Sequence, residues 1–466
     1  MTDVKPLDPD QKTAAPIIKC FNGISSAEQA KVGGISFTPD CNGAVNNSYF
    51  VEFINNAFSV YDKGTGALVG DRVSNTNFWA AAGVDPSLVV DPRIVFIPDA
   101  GRRGQWLAAQ INIGYRVLIA TTDPNDPQSD PRMGKWKASA FDLPGNDFTM
   151  LGYDLNGIYI GVNSGAPPAP DNERWPQIVF IPRANALAYP PRVGPDVIKI
   201  MGPMPKYEYG ENLFPMIDQS GAGWPYATAI GIDKISKQHL TFSLISAQFG
   251  QILSHGRIEV PPFEPVTSGF RVKQPFGSSN VMFDDTGIVA APTGGGFDIW
   301  LAHTVLNKQY GSLAVRWYRL FIDPMSRFPG LAASGDIVQP HYDHFNPSIL
   351  SLGKDDVTVV SMSRSGDYST PQNPNDPACG NIGAYAALVR ETQSGAAYTV
   401  VPLKSGQAGN YFTQGSAIRW GDYSTICRDP DPRHARRVWT INQFVLQGGA
   451  TTSQWCDAIA SIDLAN

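Results

Sequence analysis

The sequence predicts an all-β fold, a β-propeller of about seven blades with an extended N-terminal arm. Three observations carry this expectation. The 45 glycines and 38 prolines are an excess of turn-formers for 466 residues. Only 17% of residues are charged while 42% are apolar, which excludes a disordered polymer and argues against long coiled coils. Finally, one unit recurs roughly every 45–60 residues, the size of a propeller blade. It consists of short β-branched or aromatic runs bounded by Gly, Pro, Asn or Asp, which is the strand signature.

Taken in chain order, residues 1–35 read as a polar arm, and 36–464 as one closed propeller domain. Within the arm, Ile17-Ile18-Lys19-Cys20-Phe21 is a strand run able to supply an outer strand to the last blade and close the ring. The first unit, 36–80, has strand runs at 49–54 and 57–61 and a turn at 62–66. The second, 88–145, has runs at 90–97, 106–111 and 115–120. The third, 146–195, has 150–154, 157–162 and 177–181. The fourth, 224–263, offers 227–231 and 240–244, and the fifth, 278–330, offers 299–303 and 313–318. The sixth, 343–404, has 346–349, 357–361 and 384–389. The seventh, 415–464, has 421–424, 438–442 and 458–462. No unit carries an apolar stripe of helical period over twelve residues. A blade cannot bury both faces alone, so stacking around an axis explains the repetition.

The formal net charge of −6 lacks the basic footprint of a nucleic-acid binder. No apolar run reaches the ~20 residues that span a bilayer, so membrane insertion is not expected. The N-terminus has no apolar signal-peptide region. The expectation is therefore an extracellular or virion location, reached by lysis or another route that needs no such signal. Five cysteines are present without CxxC spacing, so a zinc knuckle is not indicated. Cys20 and Cys41 flank a short segment and form one candidate disulfide. Cys379 and Cys456 form another, leaving Cys427 as a free thiol at the opposite end. The alternative is that all five are buried small apolar side chains.

Several short motifs resemble a known family. Pro39-Asp40-Cys41-Asn42-Gly43-Ala44-Val45 with Val60-Tyr61-Asp62-Lys63 resembles the opening blade of bacterial, sialidase-like seven-bladed propellers. Asp91-Pro92-Arg93-Ile94 before Trp106 is similar to their second blade. Thr121-Thr122-Asp123-Pro124 with Gly134-Lys135-Trp136 is similar to a degraded Asp-box turn, and Arg419-Trp420-Gly421-Asp422-Tyr423-Ser424 to the start of their final blade. Cys41 departs from the pattern, where the family more often has Thr. Many members have no assigned activity, so the resemblance implies the fold more than a function.

The candidate chemistry is sparse. A sialidase-type enzyme needs an arginine cluster, a Tyr–Glu nucleophile pair and an acid. Arg93, Arg116, Arg316, Arg364 and Arg419 lie in or beside strands. The main Glu choices are Glu52, Glu208, Glu211, Glu259 and Glu391. If the chain is an enzyme, Asp343, His344, Arg419 and Asp422 are the catalytic candidates. His341-Tyr342-Asp343-His344 is the densest cluster, read either as metal or acid–base groups or as a solvated loop. Asp40, Asp91, Asp343 and Asp422 precede inner strands and would gather at one end of the axis. They are there either to hold a structural Ca²⁺ or to cap turns; no other cofactor is expected. Trp79, Trp175 and Trp224 sit in loops, as sugar or protein contacts or as plugs between blades. Two functions follow. One is a non-enzymatic binding or structural module of an extracellular particle or surface assembly, with protein partners and a surface glycan as a further ligand. The other is a carbohydrate-active enzyme, a sialidase-like hydrolase or a polysaccharide lyase, acting at the axial face.

Overall fold

The computed structural model describes residues 16–36, 38–101, 103–170, 173–218, 226–266, 269–273, 281–283, 289–295, 297–353, 356–366, 380–392, 395–407, 418–446 and 454–464. The chain is an all-β β-propeller, with short antiparallel sheets arranged around a central axis. Most of the sheets are antiparallel meanders of strands consecutive in the chain. In one, Val89–Ile97, Gln105–Asn112, Arg116–Thr122 and Trp136–Asp142 pair in that order. Strand Gln105–Asn112 is buried along its whole length because adjacent sheets cover both faces. The core therefore lies between sheets. Phe53 and Phe58 of one sheet pack with Ile94 and Trp106 of the next, whose Ile111 and Val117 pack in turn on Ile160 and Val179.

Sheet by sheet, the ring is less regular than seven equal units. Five sheets have four or more strands, one of them nine, and two have three. The expectation of about seven blades thus fits only roughly. The physical reason is local: strand Ile217–Asp218 pairs in parallel with both Tyr153 and Thr293–Gly294, and so fuses two meanders into the nine-stranded sheet.

Inner strands share a bend. A β-bulge sits at Asp91-Pro92 between Val90 and Arg93, another at Phe148-Thr149, and another at Asn346-Pro347 between Phe345 and Ser348. Proline is tolerated there because the bulge leaves a residue out of the ladder. The bulges carry left-handed backbone at Asp91 (φ 56°), Phe148 (φ 60°) and Asn346 (φ 54°). Asp and Asn adopt this region readily, whereas at Phe148 it costs roughly 1–2 kcal/mol.

Strand Ile17–Ser25 pairs antiparallel with Gln454–Asp463, Cys20 opposite Ala460, as the outermost strand of the sheet that ends the chain. It runs into a short helix, Ser26–Gln29, through a capping box made by Ser25 and Glu28. Beneath it lies a sealed acid pair. Glu52 accepts from the Ile24 amide (3.0 Å) and the Tyr61 hydroxyl (2.6 Å), and Asp457 accepts from Cys41 Sγ (2.9 Å). Burial and the Glu52 charge push Asp457 well above the usual carboxylate range. Its Oδ2 meets no donor among the described residues.

The disulfide expectations need correction. Cys20, Cys41, Cys427 and Cys456 are all free thiols, so neither Cys20–Cys41 nor a bridge from Cys456 forms. Cys41 and Cys456 are instead small buried core groups. Cys379 lies outside the described residues. By register Cys427 is opposite Trp439 and Cys456 opposite Phe444, so the two thiols sit toward opposite ends of their sheet.

Candidate functional site

The inner strands begin at one end of the axis and finish at the other, and the two ends differ. At the starting end, Asp40, Asp91 and Asp422 come together with Arg93, Arg419 and Tyr423. Asp40 accepts the Asp422 amide (2.8 Å) and Asn55 Nδ2 (2.7 Å). Asp91 accepts the Phe148 amide (3.1 Å), while its own amide donates to Asn55 Oδ1 (2.9 Å). Arg93 donates to the Thr149 carbonyl (2.7 Å) and lies over the Tyr423 ring, 3.4 Å from its centroid. Arg419 pairs with Asp422 at 2.6 Å. These contacts tie the inner strands of neighbouring sheets across the axis. Asp40, Asp91, Arg93 and Tyr423 are buried, so the group is a plug.

The electrostatics agree with a structural role. Burial, then the Asp422 and Asp91 charges, raise Asp40 well above the usual carboxylate range. Burial and Asp422 push Asp91 up to about 6, against the lowering effect of Arg93. As a calcium site this set fits poorly. Both Asp40 oxygens and Asp91 Oδ2 already accept N–H groups, and two guanidinium groups act on the same carboxylates. Asp343 does not join them: its oxygens accept the Lys273 amide (2.6 Å) and the Leu313 amide (2.7 Å). Among the described residues no group of three or more His, Cys, Asp or Glu is placed to hold a metal.

The catalytic candidates are likewise dispersed. His344 is fully buried, its Nε2 3.2 Å from Gln339 Oε1. Burial and the charges of Arg364 and Lys273 push its pKa down to about 3, so it stays neutral. It lies in strand Tyr342–Ser351, which corrects the solvated-loop reading, while Tyr342 stacks beneath Arg364 at 4.4 Å. A Tyr–Glu pair does exist in Tyr61–Glu52, but it is sealed under the N-terminal strand, with Phe21 against Tyr61. No substrate reaches it.

The tryptophans also need correction as exposed contacts. Trp79 is fully buried on helix Asn75–Ala82, where its Nε1 donates to Gln110 Oε1 at 2.6 Å. That helix, capped by Ser74 and closed by left-handed Gly83, plugs the gap between two sheets. Trp175 begins a strand, is buried, and donates to Glu173 (3.0 Å). Trp224 lies outside the described residues.

The finishing end opens into a cavity of about 320 Å³. Its walls come from the ends of inner strands in several sheets, including Gly43–Val45, Val89–Ile97, Asn146–Tyr153 and Thr425–Arg428. Ala44, Ile94, Ile217 and Ile426 make it largely apolar. Arg183, Arg428 and several carboxylates stand around it, but the carboxylates are engaged. Asp429 holds Lys63 (2.6 Å) and Trp439 Nε1 (3.0 Å), and Asp99 holds Arg183 (2.7 Å). Asp154 accepts the amides of Asn156 (2.7 Å) and Gly157 (2.9 Å), and Asp218 is engaged as well. A void of only about 40 Å³, lined by Arg93 and Tyr423, lies deeper along the axis. Among the described residues the axis is thus a blind funnel, plugged at one end and open at the other. Sequence reading missed the open end because its groups follow the strand runs in unremarkable turns such as Asp154-Leu155-Asn156 and Arg428-Asp429-Pro430.

No family profile matches the chain, and no curated protein is found similar to it. Solved structures align with the chain only distantly. Kuenenia stuttgartiensis hydrazine synthase aligns at 10% identity and a TM-score of 0.42, over 87% of this chain and 93% of that one. Drosophila Plexin A in complex with Semaphorin 1b aligns at 8% and 0.43, over 97% and 88%. The WD40 domain of SCAP from fission yeast aligns at 8% and 0.38, over 90% and 82%. Likeness at this level transfers neither activity nor partner. The sialidase-like resemblance therefore rests on its short motifs alone, while the propeller class rests on the sheet arrangement itself.

Proposed function

We propose that this chain is a non-enzymatic binding module of a larger assembly, an extracellular particle or surface, whose ligand face is the open axial mouth. The observation that carries the reading is the engagement of every nominated acid–base group in the scaffold. Asp343 caps two backbone amides, His344 is buried and neutral, and Arg419 and Asp422 pair with one another. A catalytic acid or nucleophile needs access and a free proton-transfer geometry, which these lack. In this reading the nine-stranded sheet works as two blades joined at Ile217–Asp218, and the ring counts about seven units. Exposed Ile200, Tyr207, Phe249 and Leu253 on the outer rim support a protein partner.

The enzymatic alternative draws on one feature, the size and charge of the mouth. A cavity of several hundred Å³ bearing arginines and carboxylates is what a glycosidase or lyase would present. A turnover screen on glycosides and acidic polysaccharides separates the two. The binding reading expects no turnover by wild type, and Asp343→Asn and Arg419→Ala changed only in stability. Turnover of any panel member by wild type would overturn it. A monomer that binds neither glycans nor proteins would count equally against it.

A further inference from the structure

The charges lining the mouth are not equally matched. Arg183 is satisfied twice, by the Asp154 carbonyl (2.8 Å) and by Asp99 (2.7 Å). Arg428 is not. Its one hydrogen bond among the described residues is a marginal contact from a terminal guanidinium nitrogen to the Ser351 carbonyl at 3.5 Å. Its Nε is buried and meets no acceptor among the described residues. The carboxylate acting on it, Asp356, is already held by both terminal nitrogens of Arg436. Burial even lowers the Arg428 pKa, as expected for a desolvated cation without an adequate counter-charge. Guanidinium groups have five N–H donors and suit carboxylates in bidentate geometry. Arg428 is half-buried, and an under-paired guanidinium on an apolar wall is suited to receive an anion.

We propose that the axial mouth binds a small carboxylate with an apolar body, its carboxylate gripped by Arg428 and its body laid against Ala44, Ile94, Ile217 and Ile426. The inference rests on the binding-module reading and gives it a ligand class. The size is set by the cavity. A pocket of about 150 Å³ accommodates benzene, so about 320 Å³ takes roughly a dozen non-hydrogen atoms. The engaged carboxylates supply selectivity: they repel polyanions from the rim, so a single carboxylate is favoured over a phosphate or a diacid.

The test is calorimetric titration of the full chain with 4-phenylbutyrate, its uncharged amide and the matching amine, 4-phenylbutylamine. Wild type should bind the acid at least tenfold more tightly than the amide, and the amine least. Arg428→Gln should remove the preference of acid over amide, and Arg428→Lys should restore part of it. Since Arg428 holds little in the scaffold, Arg428→Gln should melt no lower than wild type. Leu155→Trp, at the exposed rim of the mouth, is a second variant that should weaken acid and amide together. Equal binding of acid and amide, no binding of any probe, or a preference that survives Arg428→Gln overturns the proposal. Tighter binding of the amine also overturns it but leaves a binding module, whereas turnover in the glycoside screen would remove the module reading itself.

Discussion

Replacing Asp91 by Asn should stabilise the protein at neutral pH and leave it unchanged in acid. Asp91 sits in the axial plug with a pKa pushed up to about 6 by burial and by Asp422. An acid whose pKa is higher in the folded than in the unfolded state is favoured while protonated. Its contribution is complete below the unfolded value near 3.8 and is lost as pH rises through about 6. A rise of about 2 in pKa corresponds to roughly 3 kcal/mol of penalty once the group is ionised. Asparagine keeps an oxygen to accept the Phe148 amide and tolerates the left-handed backbone at this position. The Arg93 counter-charge is already included in that value, since it lowers the Asp91 pKa. For a chain of 466 residues the unfolding entropy is about 1 kcal/mol/K, so the expected gain at pH 8 is about 3 °C in Tm. Scanning calorimetry of wild type and Asp91→Asn at steps from pH 4 to 8 reads this directly. The curves should coincide near pH 4 and separate above pH 6, with the variant higher. A variant less stable at pH 8, or a difference independent of pH, would refute the reasoning.

Three further outcomes are expected. Because Asp40, Glu52 and Asp457 are raised in the same direction as Asp91, wild-type Tm should climb as pH falls from 8 to about 5.5, and a Tm that falls over that range contradicts the buried acid pairs. Gly23→Ala places a methyl carbon 2.4 Å from Glu52 Oε1 and 3.1 Å from Asp457 Cβ, so it should destabilise by roughly 1–3 kcal/mol and expose the N-terminal strand to limited proteolysis. Thiol titration in guanidinium without reductant should find at least four reactive cysteines; fewer would mean that a disulfide exists.

Much of the fold was legible because inner and middle strands are buried on both faces. Their runs, such as 106–111 and 157–162, are continuous and apolar, and they fall within strands Gln105–Asn112 and Gly157–Ser164. Outer strands were missed for the opposite reason. Gln251–Glu259 alternates half-buried and exposed residues, and Pro329–Ile337 is built on small and polar side chains. Helix Asn75–Ala82 is only eight residues long, too short for a helical period to stand out. Asp40, Asp91 and Asp422 were recognisable from their place before inner strands, and they do meet, but Asp343 does not, since a sequence cannot show which amide a carboxylate will cap. Trp79 was misplaced because a Pro- and Asn-flanked aromatic reads as a loop, while its Gln110 partner lies in a strand some thirty residues away, beyond local sequence context. The mouth was invisible, because its walls are contributed by residues as distant as Ala44 and Arg428.

The mouth exists only if the ring is closed, since the sheets at both ends of the chain line it. Hydrogen exchange of the full chain, resolved for Ile17–Ser25 and Gln454–Asp463, tests that closure. Closure predicts that both strands exchange together and slowly, in one cooperative step with global unfolding. An N-terminal strand that exchanges fully within seconds while Gln454–Asp463 stays protected would contradict it.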